Sequence, residues 1–132
     1  MKFASVRLIA ADIKTMVTFY ELVTGKSAEW HAPQFAEIVT PAATLAIGSE
    51  QTVAAFAKGS AEPRANRSVI LEFMVDDIDA AFKRLKDKGE LVHEPKLLPW
   101  GHRTFQIRDP EGTAVSLFMP FTDAAKARFG AR

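Results

Sequence analysis

Near its start the chain alternates apolar and polar positions. Val6, Leu8 and Ala10 alternate with Ser5, Arg7 and Ile9, the period of a strand with one buried face. At Asp12 the period changes. Ile13, Met16, Val17 and Tyr20 recur at three- and four-residue spacing, the apolar stripe of a helix. Asp12 is placed to accept first-turn amides as an N-cap. Gly25 stands where a left-handed C-terminus wants no side chain. A second strand is expected around Trp30, and "FAEIVTPAATLAIG", Phe35 to Gly48, reads as strand, turn, strand.

The pattern then repeats. Leu71, Phe73 and Val75 alternate with Ile70, Glu72 and Met74. Asp77 takes the place of Asp12, Ile78, Ala81, Phe82 and Leu85 form a second stripe, and Gly89 follows. "ELVHEP" near Val92 is the second strand of this unit. "RTFQIRDPEGTAVSLFMP", Arg103 to Pro120, supplies its last hairpin. The expected architecture is α+β: two βαβββ modules forming a curved mixed sheet with a concave cleft. Module one covers about residues 1–49, a linker about 50–67 and module two about 68–120. A C-terminal helix covers about 121–132, capped by Thr122 or Asp123. The linker has no long apolar period, and its "TVAAFAKG" is expected to form a helical turn around Phe56.

Alternation also assigns faces. The uniformly apolar set of each first strand packs under its helix, and the mixed set looks into the cleft. Arg7 and Glu72 are then equivalent and cleft-facing, as is Ser116 in the middle of the last strand. Arg7 and Glu72 have two readings: an ion pair across the groove, or contacts to a polar ligand group.

Composition narrows the function. The 132 residues, 48% hydrophobic and 25% charged, suit one soluble domain. A net charge of +1 with scattered basic residues gives no electrostatic case for nucleic acid or an anionic membrane. There is no cysteine, so disulfides, thiolate nucleophiles and cysteine metal sites are excluded. No apolar run approaches a membrane span and no long apolar leader is present, so the expected location is the cytoplasm. No G-x-S-x-G elbow surrounds any serine, and no phosphate-binding G-x-x-x-x-G-K-[ST] loop occurs.

The paired modules, with "FYELVTG", "VDDIDAAFKRLKDKG" and "PWGHRTFQIRDPEGT" leading into "AVSLFMP", resemble the vicinal oxygen chelate superfamily of glyoxalases, extradiol dioxygenases and bleomycin-resistance proteins. The resemblance runs from about Phe3 to Pro120. It implies a divalent-metal site at four strand positions, which here are Ser5, Ala46, Ile70 and Ser116. Alanine and isoleucine cannot coordinate, and a neutral serine hydroxyl is a poor donor beside carboxylate or imidazole. Of nearby residues only Glu72 could stand in. A metal site from His31, Glu37 and His102 is conceivable but matches no recognised ligand spacing.

Relatives without the metal set are often binding proteins. The resemblance therefore implies a small-molecule binding protein of the bleomycin-resistance-like type, sequestering an aromatic or heteroaromatic compound, with no metal and no other cofactor. It also implies a homodimer. Candidate ligand contacts are Arg7, Trp30, Phe35, Glu37, Glu72, Trp100, His102, Ser116 and Phe118. Trp30 and Trp100 read as equivalent edges of the two modules. The aromatic residues have a second reading as core, since large rings bury well. Two alternatives stay open. One is a lyase, isomerase or dioxygenase with an atypical site, in which His102 with Glu37 or Glu72 would do acid–base work. The other is an accessory dimeric domain.

Overall fold

The structure, a computed structural model, describes residues 1–130. Its elements run β1 (Ser5–Ala10), α1 (Ile13–Thr24), β2 (Glu29–Ala32), β3 (Phe35–Val39), β4 (Thr44–Ser49), α2 (Glu50–Ala57), β5 (Ile70–Met74), α3 (Ile78–Leu85), β6 (Glu90–Leu97), β7 (His102–Arg108), β8 (Ala114–Pro120) and α4 (Asp123–Gly130). The repeat is therefore real, but hydrogen bonding does not join its strands into one sheet. It makes two four-stranded sheets, ordered β1-β4-β3-β2 and β5-β8-β7-β6. In each, the first strand pairs in parallel with the last, and the other pairs are antiparallel.

The chain divides into two compact units. Unit 1 is Met1–Asn66 with Pro110–Gly112, and unit 2 comprises, among the described residues, Arg67–Asp109 with 113–130. In unit 1, α1 covers β3 and β4. It buries Met16, Val17, Tyr20 and Val23, and the sheet buries Ala36, Ile38, Leu45 and Ile47. Each large side chain so buried is worth about 1.5–3 kcal/mol relative to exposure. Asp12 caps α1 as its position predicts, accepting from the Thr15 N–H at 3.2 Å. Gly25 closes the helix with φ +69°. The α1 entrance has a second acceptor. The Ala11 and Asp12 N–H groups donate to Glu111 Oε2 at 2.9 and 3.2 Å.

In unit 2, α3 rests on β6, β7 and β8 and buries Ile78, Ala81 and Leu85. Phe105 is core, edge-on to Phe82 at 5.2 Å. Asp77 caps α3 through the Ala80 N–H. The far end departs from expectation. α3 stops at Leu85, with Lys86 at the cap in a right-handed conformation, so Gly89 lies three residues beyond the cap.

The linker carries the expected helical turn around Phe56 and extends it. It begins with the two-turn helix α2, held by Val53, which is buried, while Phe56 is exposed. A single apolar anchor leaves no periodic stripe to read. Thr122 caps α4, its hydroxyl accepting from the Ala125 N–H. Residues 131 and 132 of the expected C-terminal helix lie outside the described residues. Among the described residues no helix is long and apolar enough to cross a membrane.

Candidate functional site

The site in unit 2 is built on two neighbouring strands. Alternation along β5 buries Leu71 and leaves Glu72 and Met74 on the other face. Glu72 is in register with Ser116 of β8, which is in register with Gln106 of β7. Two residues along β8 on the same face comes Phe118. Its ring stacks on His102, with centroids 4.5 Å apart and planes 14° apart.

His102 owes its position to the turn before it. Gly101 has φ +90°, a region that side chains rarely tolerate. Its carbonyl accepts from the N–H groups of Phe121 and Thr122, which fixes the start of α4 against the turn. α4 then brings Phe129 edge-on to His102 at 5.0 Å. The Arg128 guanidinium lies over the Phe129 ring at 4.8 Å.

An open cavity of about 480 Å³ is lined by Glu72, Trp100, His102, Phe118, Arg128 and Phe129. His102 is 4% exposed, and its Nε2 is buried without a hydrogen-bond partner. Burial holds the imidazole below its ordinary pKa. The Arg128 charge acts in the same direction, and Glu72 acts against both. The ring is therefore neutral at neutral pH. His102 opens β7, and rings from β8 and α4 bury it.

Trp100 is 58% exposed in the turn between β6 and β7. Trp30 is not its equivalent. It lies inside β2, opposite Ala36, and is also largely exposed. Ser116, read from the sequence as a ligand contact, is 4% exposed, and its hydroxyl accepts from Gln106 Nε2 at 3.0 Å. That bond follows from the hairpin register, which puts Gln106 opposite Ser116.

Unit 1 gathers a smaller group. Arg7 of β1 and Glu37 of β3 are each in register with Ala46 of β4. The Arg7 guanidinium lies over the Phe35 ring at 5.0 Å, a cation–π contact. His31 Nε2 and Glu37 Oε1 are 2.7 Å apart, and the His31 ring is 5.9 Å from that of Phe35. So four residues read from the sequence as ligand contacts, Glu72, Trp100, His102 and Phe118, share one cavity. Arg7, Phe35 and Glu37 form a separate cluster in unit 1. Arg128 and Phe129 were not foreseen. The only signal for them was "KARFG" inside the expected terminal helix.

The metal implied by the resemblance does not fit these residues. Ser5 and Ile70 are exposed, Ala46 is buried, and the Ser116 hydroxyl is bonded to Gln106. Among the described residues no three of His, Asp and Glu come together as a ligand set. His31 and Glu37 pair with each other, while His102 is packed between rings.

Comparison with known proteins agrees with this architecture. YraH, an uncharacterized protein of Bacillus subtilis (strain 168), is 27% identical over 127 residues, covering 89% of this chain and 98% of its own. A solved glyoxalase/bleomycin resistance protein/dioxygenase family enzyme from Burkholderia phytofirmans PsJN has the same fold. It aligns at TM-score 0.79 and 19% identity, over 92% of this chain and all 100% of that one. A lactoylglutathione lyase from Agrobacterium tumefaciens aligns at TM-score 0.69 and 22% identity, over 89% and 92% of the two chains. The family model of the glyoxalase/bleomycin resistance protein/dioxygenase superfamily matches residues 2–117. With the doubled βαβββ topology matched over nearly its whole length, the chain belongs to the glyoxalase/bleomycin resistance protein/dioxygenase superfamily.

Proposed function

We propose that this protein binds a flat aromatic or heteroaromatic small molecule in the cavity of unit 2, without a metal, in the manner of a bleomycin-resistance-like sequestering protein. The observation that supports the reading is His102. Its ring lines a pocket with Trp100, Phe118 and Phe129, and its Nε2 is buried without a hydrogen-bond partner. Leaving a buried polar atom unmet costs about 1–3 kcal/mol, and such an atom calls for an ordered water, an ion, a ligand or a catalytic role. The surrounding rings offer broad flat contact. The cavity, at about 480 Å³, is of ligand size.

The test is a thermal-shift and calorimetric screen of aromatic compounds against wild type and Trp100→Ala. Trp100 is largely exposed, so its truncation should leave the melting temperature within about 2 °C while weakening binding about tenfold. A screen without hits, or a Trp100→Ala protein that loses stability and not affinity, would remove the reading. The same reading takes the protein as a cytoplasmic homodimer. A native mass spectrum showing only monomer at micromolar concentration would remove the dimer.

One observation favours a second reading, an enzyme. Glu37 holds one nitrogen of His31 at 2.7 Å, an arrangement that orients an imidazole for acid–base work at the other nitrogen. Incubating wild type and His31→Gln with each compound found by the screen, and following product by mass spectrometry, decides it. Turnover lost in His31→Gln supports the enzyme, and no turnover by wild type sinks it.

A further inference from the structure

The cavity of unit 2 has opposite charges on its lining. Glu72 enters from β5 and Arg128 from α4. Both act electrostatically on the same imidazole, in opposite directions. Yet among the described residues they do not pair with each other. Neither takes part in the Arg64–Glu111 or Arg103–Asp79 ion pair, and the Arg128 guanidinium lies over Phe129 instead. Two unpaired charges of opposite sign thus share a pocket that the rings of Trp100, His102, Phe118 and Phe129 also line. A purely apolar ring would strip water from both charges and give nothing back. A ligand with one charged edge would satisfy one and strand the other, which is how a site rejects the wrong partner.

We propose, building on the binding reading above, that the cavity selects amphoteric heteroaromatics. The ligand is a flat ring carrying an amino or ring N–H edge that meets the Glu72 carboxylate and an anionic group, such as a carboxylate, that meets the Arg128 guanidinium. The ring lies against Trp100 and Phe129, beside the His102 imidazole that lines the same pocket. Arg128 is suited to the anionic edge because its planar fork takes a carboxylate with two parallel hydrogen bonds. α4 is then part of the site, since it supplies both Arg128 and Phe129.

The test uses three related probes at about pH 8: 6-aminonicotinate, which has both edges, nicotinate, which has the acid alone, and 2-aminopyridine, which has the amine alone. Each is titrated by calorimetry, with the imidazole signals of histidine-labelled protein followed by NMR. The His102 signal is assigned by its loss in His102→Gln. Both charged side chains are exposed, so Glu72→Gln and Arg128→Gln should fold normally, which circular dichroism checks.

The two-edged probe is expected to bind at least about tenfold tighter than either single-edged one, and to shift the His102 signal. Glu72→Gln should erase its advantage over nicotinate, and Arg128→Gln its advantage over 2-aminopyridine. Equal affinity for all three probes, or variants that weaken all three alike, overturns the inference. A His102 shift in that case leaves the cavity standing as an aromatic site. No binding by any probe overturns the inference as well, and if the wider aromatic screen is silent too, the binding reading falls with it.

Discussion

Replacing His102 with phenylalanine separates what the imidazole does for folding from what it does for a ligand. The side chain is 4% exposed and stacks on Phe118 at 4.5 Å and against Phe129 at 5.0 Å. Phenylalanine keeps both ring contacts, each worth about 0.5–1.5 kcal/mol beyond its area. It also removes the unpartnered Nε2, a cost of about 1–3 kcal/mol. The extra volume would cost about 1–3 kcal/mol in a closed core, but here the ring faces a cavity of about 480 Å³. The balance favours the variant by about 1 kcal/mol, or about 4 °C in melting temperature at this chain length.

The pH dependence is a second readout. The native imidazole has its pKa lowered, first by burial and then by Arg128, with Glu72 opposing. As pH falls, the unfolded chain takes up this proton first. The stability conferred by the neutral ring is therefore full above its unfolded value of about 6.5 and is lost as pH falls through the lowered native value. His102→Phe should abolish that component. Urea titrations of both proteins from about pH 8 to 5 measure both effects. A variant less stable than wild type at pH 8 with an unchanged acid limb would mean that the imidazole is satisfied and structural, and the reasoning would fail.

Other expectations follow from the same geometry. Gly101→Ala places a side chain at φ +90° and against Thr122 and Ala125; it should cost at least about 2 kcal/mol and weaken aromatic binding, seen by urea melts and calorimetry. Glu111→Ala strips an acceptor from two backbone N–H groups and should destabilise by about 1–3 kcal/mol, with Glu111→Gln recovering part of it. Adding zinc or manganese, or chelating with EDTA, should leave the melting temperature unchanged, since the four positions offer no ligand set; a saturable rise on adding metal would contradict this.

The repeat was legible because its signals are local. A capping Asp, an apolar stripe and two-residue alternation act within a few residues of themselves, and Asp12, Asp77 and the strands of both modules stand where those signals put them. What depends on remote partners was not legible. Whether eight strands make one sheet or two is decided by which edges bond. Gly89 looked like a helix end, yet α3 stops at Leu85. The site divides the same way. Glu72 and Phe118 were readable from alternation. The burial of His102 was not, because it depends on rings 16 and 27 residues away in the chain, at Phe118 and Phe129. Arg128 and Phe129 sit on a helix whose one buried residue is Ala125, so no stripe marked its inner face.

Glu111 has a consequence for how the duplicated halves can be handled. Unit 1 is not a continuous stretch, because its α1 entrance borrows a carboxylate from Pro110–Gly112, far along the chain. A gene fragment ending at Asn66 would encode every helix and strand of that unit and still lack this acceptor. Excised alone, it should melt early. A short peptide spanning the missing turn, added in trans, should raise its midpoint, whereas the same peptide with Glu111 replaced by alanine should not. The two repeats, though alike in topology, would then not be interchangeable parts.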